Sequence, residues 1–116
     1  MKIELIEDKL VTKLSLLEGL EAFKRKLEIP VPSIVDVKPF KDTGVKLEQR
    51  VEGSWLSNKV YGTFITSKGK AFIATQDIGK ATVLFLKDFK YDLAILDLDG
   101  KIIEELEKRI SSRRDF

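Results

Sequence analysis

Neither cysteine nor histidine occurs in this 116-residue chain. Without cysteine there is no disulfide, thiolate metal site or thiol nucleophile. Without histidine the usual general base and the commonest transition-metal ligand are missing. No charge of one sign dominates: 21 Lys+Arg against 19 Asp+Glu leave a net charge of +2, with the signs interspersed. A nucleic-acid binder concentrates its basic residues in a patch. Here only Arg109, Arg113 and Arg114 gather, behind Asp99, Glu104, Glu105 and Glu107, so nucleic acid is not an expected partner. No apolar run nears membrane-spanning length, and the opening MKIELIEDKL lacks the apolar core of a signal peptide. The expectation is a soluble, cytoplasmic protein. A single Met beside abundant Lys, Glu and Ile is compatible with a thermophile.

What is present is enough apolar residue, 43%, to build a core, and the length suits one domain over 1–116. IELI (3–6) and KLVTKL (9–14) read as short strands broken at Glu7-Asp8. Ser15-x-x-Glu18 matches a capping box, in which each residue's side chain accepts the other's backbone N–H. The helix it opens is expected from about Leu16 to Leu27, with Leu16, Leu20, Phe23 and Leu27 on one face. SIVDVKPF (33–40) reads as a strand, and KDTG (41–44) as a turn. VKLEQRVE (45–52) alternates, so Val45, Leu47 and Val51 are expected on a buried face. GSWLSNK (53–59) reads as a loop. VYGTFITSKGKAFIATQ (60–76) reads as a hairpin turning at Ser67-Lys68-Gly69-Lys70, with Gly69 supplying positive φ. ATVLFLK (81–87) and YDLAILDL (91–98) read as further strands, and residues 100–114 as an amphipathic helix with Ile102, Ile103, Leu106 and Ile110 inward. Short strands without βαβ alternation argue for an antiparallel sandwich or barrel with a terminal capping helix.

Asp97-Leu98-Asp99-Gly100 invites two chemical readings. A phosphatase nucleophile motif needs a parallel sheet and further catalytic groups downstream, but a single helix follows. A calcium loop needs more oxygen ligands, and Lys101 stands at its third ligand position. Asp97 or Asp99 as the helix N-cap accounts for every residue. The Gly-Lys pairs at 69–70 and 79–80 lack the two-glycine loop that cradles phosphate. No catalytic residue, metal ligand or cofactor-binding residue is therefore assigned, and no cofactor is expected. The candidate binding residues are Trp55 and Tyr61, with Arg50 and Lys59 beside them, because an aromatic flanked by cations suits contact with a peptide or another subunit. The competing reading packs Trp55 over the open end of the barrel.

These features together resemble the bacterial pleckstrin-homology-like domain family. The matching stretches are Leu14-Ser15-x-x-Glu18 opening a short helix, IPVPSIVDV (29–37), YGTF (61–64), GKAFIA (69–74), TVLFLKDFKYDLAILDLD (82–99) and the terminal helix. The resemblance implies a seven-stranded, bent antiparallel sandwich closed at one end by that helix. It also implies a non-enzymatic interaction scaffold that forms homo-oligomers or takes a protein or peptide partner. The basic cluster that marks phosphoinositide binding in the first hairpin is not matched, since Glu7 and Asp8 stand at the turn. No phosphoinositide-specific site is expected, and a net charge of +2 argues against a membrane-surface partner. The alternative function is a small-ligand or peripheral lipid-binding barrel using the segment around Trp55.

Overall fold

The computed structural model describes residues 1–15, 17–18 and 25–114. The protein is mainly β, with two sheets and one C-terminal helix. The smaller sheet is antiparallel, ordered β1 (Lys2–Ile6), β2 (Lys9–Lys13), β3 (Lys26–Pro30). Glu7 takes a positive φ of 56° where β1 turns into β2. The capping box forms: the Ser15 N–H donates to Glu18 Oε1 at 2.9 Å, and the Glu18 N–H to Ser15 Oγ at 3.2 Å. The body of the helix expected after it lies outside the described residues. Its expected end at Leu27 is corrected, because residues 26–30 pair with β2 as a strand. Lys-Leu-Glu-Ile-Pro alternates with period two, and burial of Leu27 and Ile29 against the core decides in favour of the sheet.

The larger sheet contains β4 (Ile34–Pro39), β5 (Leu47–Leu56), β6 (Lys59–Thr66), β7 (Gly69–Thr75), β8 (Thr82–Leu86) and β9 (Leu93–Leu96). Their spatial order is β4-β8-β9-β7-β6-β5. Two points differ from expectation. Nine strands form among the described residues where the resemblance implies seven, and one pairing is parallel, β7 with β9, from Ala71↔Leu93 to Ala74↔Leu96. All four residues of β9 are buried, because both of its faces are covered. Such a strand reads as a continuous apolar run, the pattern of a parallel strand in a sheet interior.

Two cores result. One lies between the sheets and includes Leu10, Ile29, Tyr61, Phe72, Leu84, Leu96 and Leu106. The other lies on the opposite face of the larger sheet and includes Val60, Phe64, Ile73, Val83 and Ile95. A flat six-stranded sheet would hold β4 and β5 about 24 Å apart. Residues 40–46, which join them and begin with a 3-10 turn, span this only if the sheet curls. Val45 and partly buried Phe40 and Leu47 accordingly pack into the second core.

The terminal helix α1 (Gly100–Arg114) has the expected bounds and buries Leu106 and Ile110 in the first core. Its arginines fasten it to both sheets. Arg109 Nη1 donates to the Glu7 carbonyl at 2.9 Å. Arg113 donates to the carbonyls of Pro32 at 2.9 Å and Ile34 at 2.6 Å. Among the described residues no helix is long and apolar enough to cross a membrane.

Candidate functional site

Three of the four candidate binding residues lie on the surface of the β5–β6 hairpin. The loop expected at 53–59 is instead the end of β5, a two-residue turn at Ser57-Asn58 and the start of β6. Trp55 is therefore a strand residue, paired with Val60. Its indole Nε1–H donates to the Ser57 carbonyl at 3.1 Å, and its ring meets Phe64 edge-on with centroids 6.0 Å apart. One side of the indole thus rests on the second core, yet 49% of the residue remains exposed. Arg50 pairs with Phe64 and Lys59 with Leu56, and both cations are exposed.

Tyr61 does not join them. It is fully buried on the face of β6 that looks toward the smaller sheet. Its hydroxyl donates to Glu18 Oε2 at 3.1 Å and accepts from Gln76 Nε2. A tyrosine whose polar tip finds such partners can bury its ring at little cost.

The strand predicted to be half-buried is largely exposed. β5 is an edge strand, and its register against β6 shifts at Leu47/Gln49 and again at Arg50/Glu52. These two bulges break the period of two that the sequence suggests. Val51, expected inside, is 54% exposed. Leu56 at 75% and Ile65 at 37% stand on the same hairpin. These three apolar residues are the part of the surface that sequence reasoning missed, and no local signal marked them.

The aspartates of Asp97-Leu98-Asp99-Gly100 have structural duties. Asp99 is the N-cap: its Oδ1 accepts the Ile102 N–H at 2.9 Å, and its carbonyl accepts the Ile103 N–H at 3.1 Å. Asp97 points back to β7, accepting from the Thr75 hydroxyl and, at 3.0 Å, from the Gln76 N–H. Among the described residues no three His, Cys, Asp or Glu side chains gather as a metal site. Four surface pockets of 260 to 480 Å³ lie elsewhere, and none is lined by Trp55.

Comparison with protein-family models, with curated proteins and with solved structures finds no match for this chain.

Proposed function

We propose that this protein is a non-catalytic, pleckstrin-homology-like interaction domain that works through protein contact, in the first place with further copies of itself. The observation that carries this reading is that Val51, Trp55, Leu56 and Ile65, all more than a third exposed, stand on one hairpin at the edge of the larger sheet. Trp55, paired with Val60, stands on the face of the second core and its neighbour Leu56 on the opposite face, so the hairpin offers apolar side chains on both sides. Trp55 and Arg50 are of the residue types that supply most binding energy at such surfaces. The two bulges and the charges of Glu48, Arg50 and Glu52 disfavour simple extension of the sheet through β5. Contact is therefore through side chains rather than through a backbone ladder. The pleckstrin-homology likeness is supported by two sheets sharing one core and a terminal helix that packs onto that core. The nine strands and the parallel β7–β9 pair stand outside its antiparallel pattern.

Light scattering over micromolar concentrations should give a mass above the 13.2 kDa of one chain. Leu56→Lys should weaken the association by about thirtyfold, the loss expected of one hot-spot side chain. A wild type that stays monomeric, with no crosslink from a photoreactive group at position 56 to any protein in the native cell, overturns the reading.

A further inference from the structure

A pocket of about 380 Å³ opens where the end of β4, the 3-10 turn before β8 and the first turn of α1 meet. Lys41 and Lys80 stand on its walls, and Pro39, Ala81, Leu98 and Ile103 give it an apolar lining. Three other pockets among the described residues each include a carboxylate residue: Asp8, Glu28, or Glu104 with Glu107. This one includes none. Among the described residues no carboxylate forms an ion pair with Lys41 or Lys80. The acids nearest the lining along the chain are Asp36, Asp42, Asp77, Asp97, Asp99 and Glu104, and none of them is a lining residue. Asp77 is occupied by the Gly79 N–H at 3.1 Å, and Asp99 by the Ile102 N–H at 2.9 Å. The volume falls within the range that holds small ligands.

We infer that this pocket binds a small, free acyl carboxylate, with the carboxylate between Lys41 and Lys80 and the chain against Leu98 and Ile103. The two lysines select for an anion, and the lining between them rewards a hydrocarbon chain rather than a bare ion. A free acid suits the site better than a membrane-borne lipid. The exposed apolar side chains that a bilayer would take up, Val51, Trp55 and Leu56 foremost, are not among its lining residues. The inference is independent of the hairpin reading, since the two surfaces share no residue.

The test is a titration of octanoate into isotope-labelled protein, followed by amide resonances. Ala81, Thr82, Leu98 and Ile103 should shift and saturate. Affinity should rise about fourfold per added methylene from butanoate to octanoate. The Lys41→Glu/Lys80→Glu variant, melting as the wild type does, should bind at least about tenfold more weakly. Leu56→Lys should bind as the wild type does. Octylammonium shifting the same amides equally, inorganic phosphate matching octanoate, or undiminished binding by the double variant would each overturn the inference. So would pelleting with anionic vesicles that depends on Lys41 and Lys80, which would make the ligand a membrane lipid.

Discussion

Glu18 gathers more partners than any other carboxylate described. Its Oε1 accepts from the Met1 ammonium and from the Ser15 N–H, each at 2.9 Å, and its Oε2 accepts from Tyr61. Burial pushes its carboxyl up, but the bonds from the Met1 amine and Ser15 outweigh this and hold it at about 2, below the usual 4.5. A carboxyl depressed in the folded state stabilises fully above its unfolded pKa and loses that stabilisation as pH falls toward the folded one. Thermal melts should therefore show a stability component lost between pH 4.5 and about 2. Glu18→Gln should melt lower at neutral pH and lack that component; equal acid sensitivity in both proteins would count against the assignment. The Ser15–Glu18 pairing was legible in the sequence because it is local, three residues apart. The Tyr61 contact was not, because the hydroxyl's partners stand 43 and 15 residues away. The two aromatics, expected together on one binding surface, are consequently separated: Tyr61 is sealed in the core and Trp55 is half outside it.

Among the elements, the β5–β6 hairpin departs furthest from a simple pattern. Its centre is a cross-strand pair of glycines, Gly53 and Gly62, with φ of +123° and +137°. A Cβ at Gly53 would lie 2.1 Å from the Tyr61 carbonyl oxygen, and one at Gly62 would lie 2.2 Å from that of Glu52. Two backbones this close leave no room for any side chain. Gly62→Ala should cost at least about 3 kcal/mol, strain and overpacking together. Urea denaturation reads this directly, and a cost under 1 kcal/mol would mean that the hairpin can open without loss. The β6–β7 hairpin could be read from residue type, two β-branched and aromatic runs about Gly69, whereas β3 could not, because Leu27 also fits the apolar spacing of the helix expected before it. β5 could not be read whole. Its bulges cancel the alternation after Arg50, and Gly53-Ser54 followed by Ser57-Asn58 has the composition of a loop.

For the whole molecule, α1 is the element on which both sheets converge. Leu106 sits at zero exposure in the core between them. Leu106→Ala should destabilise by about 2–5 kcal/mol, the range for a buried leucine cut to alanine. A two-state denaturant curve checks it; a loss below 1 kcal/mol would mean that α1 docks peripherally. The helix was legible because its apolar spacing is regular. The strand β9 was legible too, but its parallel pairing with β7 was not, because Leu-Ala-Ile-Leu is apolar at every position and gives no face to read. That lack of a preferred face raises a problem of alignment. A strand buried on both sides can slide by one residue against its neighbour and still bury the same kinds of side chain, whereas a half-buried strand cannot. Two carboxylates flanking β9 supply the missing information. Asp92 Oδ2 accepts the Lys70 N–H at 3.0 Å near one end of β7, and Asp97 Oδ2 accepts the Gln76 N–H at 3.0 Å just beyond the other. Slippage by a single residue would pull both acids off their backbone partners at once. The aspartate that looks like a nucleophile thus serves, with its counterpart five residues earlier, as a gauge that lets an otherwise featureless strand lock into one alignment.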